Sequence, residues 1–287
     1  MSKIVDIRTV QAVPFKTMAE ALKEILVDIN IEFSESGLKI MEIDATQSVL
    51  VHLKLDANQF QVYKCSKRII IGVSIINLFK LIKTITNNDI LQLYIEENDE
   101  NVLNICIENS EKKYYTKYQL NLLEIDYNEY ECPSKKFECQ IILPSQCLQK
   151  ICRDMGNLSD IVEVQVINNS LVFKCEGDFA KQETIFKETE KITNENEQSS
   201  EQSSEQSNKQ SSKQSNDNII FKENKNTPDI IQGYYSLKHL ISFTKCTNLC
   251  QSLEIYINNN YPLIIVYDIG NMGKLTLCLS PKQLTNS

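Results

Sequence analysis

The chain has 287 residues, 42% of them apolar and 24% charged, and a formal charge of −8. That length allows about two domains of the usual ~150 residues and excludes a peptide or a lone small module, while the apolar content excludes global disorder. Thirty basic residues against 38 acidic ones weigh, at first, against a nucleic-acid partner.

The first 13 residues carry charges every few positions and have no apolar run of the kind a secretory signal needs, so no export is expected. Residues 15–28 place Phe15, Met18, Leu22, Ile25 and Leu26 on one face at helical spacing. A hairpin follows over INIEFSESGLKIMEID, turning at Glu35 to Gly37, and VLVHLKL reads as a further strand. The runs IIIGV and LIIVY are far shorter than the ~20 residues that span a bilayer, so no membrane segment is expected. A second helix is expected over 74–86, followed by strands in ILQLYIEE, VLNICIEN and YTKYQLNLL.

After a polar stretch the cycle restarts. A third helix over 144–157 has Pro144 in its first turn and Gly156 near its end, and strands IVEVQVI and SLVFKCE flank an Asn168-Asn169 turn. Residues 194–218 consist only of Asn, Glu, Gln, Ser, Lys and Asp; they cannot bury surface, and a disordered insertion of about 190–218 is expected. A fourth helix over 236–247 precedes SLEIYIN, PLIIVYDI and LTLCLS. One helix followed by strand pairs, four times over, predicts an α+β domain duplicated in tandem: 1–122, a connector at 123–137, and 138–287.

Ten cysteines contain no CxxC; the tightest pairs are Cys147 with Cys152 and Cys246 with Cys250. Most sit inside apolar runs, so reduced core cysteines are expected, with no metal. Positive charge is segregated. The four helices contain Lys16, Lys23, Lys80, Lys83, Lys150, Arg153, Lys238 and Lys245 against Glu20, Glu24, Asp28 and Asp154, so they carry +4 and the remainder −12. The two cations of each helix are three or seven residues apart, which puts them on one face. Few aromatics accompany them, so stacking on single strands is disfavoured; the pattern suits a duplex whose phosphates are followed without reading bases.

Several segments, in order, carry a resemblance: FKTMAEALKEIL, QVYKCSKRIIIGVSIINLFKLIK, YQLNLLEID, LPSQCLQKICRDMG, FTKCT and DIGNMGKLTLCLSPK. Together they resemble the proliferating cell nuclear antigen family of replicative sliding clamps. The resemblance implies a homotrimeric ring with helices around duplex DNA and sheets outside, bound by DNA polymerase and other proteins that dock a hydrophobic peptide, and opened by an ATP-driven loader. By position it makes Lys16, Lys23, Lys80, Lys83, Lys150, Arg153 and Lys245 channel-facing; Lys238 is added from helix periodicity. The peptide pocket it implies comprises Ile43, Leu50, Tyr130, Cys132, Pro133, Pro262, Leu279 and Pro281, with Ser280 at the rim. Cys278 and Ser280 stand where the family usually has Tyr and Ala. Subunits would join through an edge strand at 114–121, with Tyr114 and Tyr118, and one at 178–186, with Asp178 and Ile185. The family acts in the nucleus; a virus of AT-rich genome, at which the Asn, Ile and Lys content hints, would use a cytoplasmic replication site.

Catalysis has little to recruit. His52 alternates within a strand as a surface side chain, and His239 has no evident carboxylate partner. There is no GxGxxG, P-loop or HExxH, so neither enzyme nor cofactor is expected. A checkpoint-type clamp built from different subunits is the alternative that shares the fold.

Overall fold

A computed structural model describes residues 2–109, 111–132, 137, 139–187, 219–223 and 230–283. The expected polar insertion at about 190–218, and Pro133, lie outside the described residues.

The first half runs β1 (Lys3–Thr9), α1 (Ala12–Leu22), β2 (Asp28–Ser34), β3 (Gly37–Ile43), β4 (Val49–Asp56), β5 (Val62–Cys65), β6 (Ile69–Ser74), α2 (Ile75–Ile82), β7 (Ile90–Glu96), β8 (Asp99–Asn109) and β9 (Tyr114–Asn121). The second half repeats the order: β10 (Cys139–Pro144), α3 (Ser145–Gly156), β11 (Ile161–Ile167), β12 (Ser170–Glu176), β13 (Lys181–Lys187), β14 (Ile220–Glu223), β15 (Ile230–Ser236), α4 (Leu237–Phe243), β16 (Ser252–Ile257), β17 (Leu263–Ile269) and β18 (Gly273–Leu279). The fold is α+β, two tandem copies of one plan.

Pairing is antiparallel throughout and duplicated as well. β1 lies between β5 and β7 as β10 lies between β14 and β16, and β2 pairs β3 and β6 as β11 pairs β12 and β15. One junction joins the halves: β18 pairs β4 from Gly273↔Leu55 to Leu279↔Val49, making one nine-stranded sheet ordered β14-β10-β16-β17-β18-β4-β3-β2-β6. The smaller sheets, β5-β1-β7-β8-β9 and β13-β12-β11-β15, end on β9 and β13.

The helices form one row. α1 packs on α2 and on a 3-10 turn at Thr244–Asn248, while α3 packs on α4 and on the same turn. Phe15, Met18, Ala19 and Leu22 of α1 and Leu148, Ile151, Cys152 and Met155 of α3 point into one core shared with the sheets. Among the described residues no helix is long and apolar enough to cross a membrane.

Helix ends differ from expectation for local reasons. α1 stops at Leu22 rather than at Asp28, because Asp28 pairs with Ser74 and the Val27 carbonyl accepts the Ile75 N–H. α2 stops at Ile82 rather than Thr86: the Asp89 carboxylate takes the Thr86 N–H at 2.7 Å and its hydroxyl at 3.0 Å, closing a turn. Pro144 ends β10 instead of entering α3, and α4 gives way to the 3-10 turn, which carries Lys245. β1, β5, β6, β10 and β15 were not expected as strands. The Asn168-Asn169 hairpin is as expected, both residues having positive φ (48° and 53°), the twist a tight hairpin needs.

Candidate nucleic-acid interface and partner surface

The apolar stripes of the helices are spent on the core, so their remaining faces look away from the sheets. Lys80 and Lys83 on α2, Lys150 and Arg153 on α3, Lys238 on α4 and Lys245 on the 3-10 turn are all exposed there. The other two cations are held. Lys16 donates to the Ile85 carbonyl at 2.6 Å, tying α1 to the turn after α2. Lys23 pairs with Glu24 and lies 5.1 Å from the centre of the Phe79 ring. That hydrogen bond from Lys23 holds the Glu24 carboxyl below its usual range, and Lys245 pulls the same way across the α1 contact. Lys80 donates to Asn77 at 3.4 Å and Arg153 lies 3.8 Å from Asp154, both at the surface. Six exposed cations on a helical row can follow a polyanion without gripping it.

The opposite, outer face of the nine-stranded sheet carries an apolar row fixed by register. Ile43 faces Leu50, Leu50 faces Cys278, Cys278 faces Ile264 and Ile264 faces Tyr256. Ile264, Val266 and Cys278 are buried there, with Leu50, Tyr256 and the connector's Cys132 and Phe137 packed on them. Phe137 meets the rings of Tyr256 and Tyr261 at 5.2 and 5.7 Å. Thus Leu50 and Cys132 of the expected pocket come together, and Ile43 joins their row. Leu279 does not: it is 1% exposed and points into the main core, and Cys278, one residue earlier, takes the outer position. A one-residue change of parity moves a strand residue to the other face. Tyr130 and Pro262 are half-buried, and exposed Ser280 spends its N–H on the Ser48 carbonyl at 2.9 Å. Pro281 lines a neighbouring hollow with Tyr234, Asn259 and Lys282.

The connector is drawn onto this face at its start. The Leu123 N–H donates to the Gly72 carbonyl at 2.8 Å, and a Cβ on Gly72 would lie 2.3 Å from the Leu123 oxygen, so only glycine fits the crossing. Asn30 donates to the Asp126 carbonyl at 3.3 Å. The loop bearing Ile43 turns on Asp44, whose carboxylate accepts N–H groups of Thr46, Ser48 and Val49. Burial opposes its charge, but these bonds and the Thr46 hydroxyl outweigh burial and hold Asp44 below the usual carboxylate range.

His52 points outward as expected, but it is half-buried against the connector's Cys132. His239 forms no ion pair with a carboxylate among the described residues; burial lowers its pKa, the charge of Asp44 opposes that, and Lys238 and Lys282 add to it. All ten cysteines are free thiols, six of them buried, and no metal-binding cluster of His, Cys, Asp and Glu occurs among the described residues.

At the open edges, Tyr114 and Tyr118 of β9 are half-buried, and the Tyr114 hydroxyl donates to Asp89 at 2.6 Å. Ile185 is 51% exposed on β13, which spans Lys181–Lys187, so Asp178 sits in the turn before the strand and not within it.

The proliferating cell nuclear antigen N-terminal domain family matches residues 4–130, and the C-terminal domain family matches residues 131–211 and 201–282. The chain belongs to the proliferating cell nuclear antigen family. Its relatives in this family include the probable DNA polymerase sliding clamp 1 of Paramecium bursaria Chlorella virus 1, 32% identical over 279 residues that cover 96% of this chain and 95% of that protein. Another is the proliferating cell nuclear antigen of Chaetomium thermophilum, 26% identical over 279 residues, 97% of this chain and 98% of that protein. In this member of the family, the helical row offers exposed cations and the connector-covered sheet face offers an apolar row.

Proposed function

We propose that identical copies of the chain join through β9 and β13 into a closed ring, with the helices lining the hole. One observation carries this reading. In the internal repeat β9 corresponds to β18 and β13 to β4, and β18 and β4 already pair within the chain. Repeating that junction between copies pairs the β9 edge with the β13 edge. Because the two edges differ, the contact is head to tail and closes into a ring rather than a pair. Three copies is the number the family resemblance implies.

The chain is a sliding clamp. It encircles duplex DNA and tethers DNA polymerase and other replication and repair proteins, so the polymerase gains processivity from a high local concentration at its template. Lys80, Lys83, Lys150, Arg153, Lys238 and Lys245 meet phosphates from exposed positions, with Lys16 and Lys23 behind them. These screened contacts carry no base information and let the ring slide. Partner proteins lay a hydrophobic peptide over Ile43, Leu50 and Cys278, beside the connector's Tyr130 and Cys132 and the Pro262, Ser280 and Pro281 rim. A closed ring cannot thread a circle, so an ATP-driven loader opens it. The clamp makes and breaks no bond itself. It works in the nucleus, or at a cytoplasmic replication site for a virus.

The test is loader-dependent synthesis on primed circular DNA. The variant with Lys80, Lys83, Arg153 and Lys245 changed to Glu should stay assembled yet lose stimulation of the polymerase. Undiminished stimulation would remove these side chains from the mechanism.

A further inference from the structure

The tethering role leaves unused one cluster of reactive groups on the outer sheet face. Register puts Leu50 opposite Cys278 and His52 opposite Thr276, so His52 and Cys278 are diagonal neighbours on one face of the β4–β18 pair. The connector packs Cys132 against the small apolar cluster of Ile264, Val266 and Cys278, where its thiol interacts with the Cys278 thiol and with the His52 imidazole. Two thiols packed in one cluster, one of them on the connector, are placed to close to the ~2.05 Å of a disulfide. They are 146 positions apart in sequence, one on the connector and one in the sheet, so a bond between them would fasten the first to the second.

The two thiols are unequal. Cys132 is half-exposed, whereas Cys278 is 3% exposed beneath it. Contact with Cys278, then with His52, holds the Cys132 thiol well below its usual range, and the same contact drives Cys278 up. Burial pushes Cys152 and Cys246 upward too. An accessible thiolate beside a protonated thiol is the arrangement of an attacking and a resolving cysteine.

We propose that Cys132 and Cys278 form a reversible disulfide, made by a peroxide and undone by a dithiol, that pins the connector to the sheet and closes the peptide-docking surface. The closing role rests on the docking reading above; the disulfide does not. The Cys132 thiolate attacks one peroxide oxygen: an S–O bond forms, the O–O bond breaks, and the leaving hydroxide takes up a proton to become water. The Cys278 sulfur then attacks the sulfenic sulfur. The S–S bond forms, the S–O bond breaks, and the departing hydroxide takes the Cys278 proton as a second water. Two thiols have lost two electrons and the peroxide has gained them. A dithiol reverses the bond by exchange and leaves as its own disulfide.

The full chain, treated with one equivalent of hydrogen peroxide, alkylated and digested without reductant, should yield a Cys132–Cys278 crosslinked peptide that dithiothreitol removes. Cys278→Ser should stop at a Cys132 sulfenic acid trapped by a dimedone-type probe, and His52→Gln should slow Cys132 oxidation about tenfold. Absence of the crosslink, or oxidation spread evenly over the ten cysteines, overturns the disulfide. In parallel, fluorescence polarisation measures a labelled hydrophobic clamp-binding peptide. Reduced protein should bind it, oxidised protein at least about tenfold more weakly, with recovery in dithiothreitol and no redox response in Cys132→Ser. A crosslink with unchanged peptide affinity overturns the closing role. No binding by the reduced protein overturns the docking reading and the closing role together, while the crosslink still decides the disulfide.

Discussion

Asp89 shows how one side chain fixes the start of the β9 edge. It is 1% exposed and accepts hydrogen bonds from Tyr114, Asn109 and Thr86, joining the end of α2, the end of β8 and the start of β9. Burial opposes its charge, but the four bonds prevail and hold its carboxyl below the usual range. A lowered folded pKa adds stability that is complete above the unfolded carboxylate value, about 3.9, and is lost as pH falls through the folded value. Asp89→Ala should therefore cost about 3 kcal/mol near neutrality, with the gap from wild type narrowing towards pH 3. Urea midpoints at pH 7 and pH 3 check this, and a gap unchanged in acid would contradict it. Gly72 is the second such residue. Gly72→Ala drives a Cβ against the Leu123 oxygen and Ile125, and should cost about 1–3 kcal/mol while speeding protease cleavage in the connector. Cleavage at the wild-type rate would show that the crossing relaxes without lifting the connector.

At the scale of elements, legibility followed periodicity. β11 alternates cleanly and β12 alternates after a buried Leu171–Phe173 run; two asparagines separate them, and the bounds of both were read from the sequence unchanged. β10 is a short apolar run between β14 and β16 and β6 one at the sheet's edge beside β2, and periodicity alone cannot separate either from helix or core. The helices overran because their patterns continue past the point where a sheet partner or the Asp89 turn captures the chain. The basic faces were legible, since charge segregation needs only composition and helical spacing. The outer face was less so: choosing Leu279 over Cys278 was an error of parity, and the contact of His52 with the connector joins residues 80 positions apart. The open edges make a sharper statement. Tyr118→Lys together with Ile185→Lys puts like charges on both edges, and should leave each subunit folded by circular dichroism but reduce the particle to one third of its mass. An intact assembly would mean that these strands do not join subunits.

For the whole molecule, the repeat is the economical feature. Each half contributes the same eleven elements in the same order, so a single antiparallel junction serves inside the chain and, in the ring proposed above, would serve again between chains. In the ring proposed above, the helices, with a net +4, meet the hole from every subunit, while the −12 of the remaining chain lies off the helical row and does not oppose DNA there. Topological retention needs no tight contact, which fits cations held at the surface and not buried in pairs. The most direct measurement is the solution mass of the pure chain by light scattering without DNA. Three subunits of 33.0 kDa, about 99 kDa, is the expected result; a stable particle of 33.0 kDa would contradict the self-closing ring.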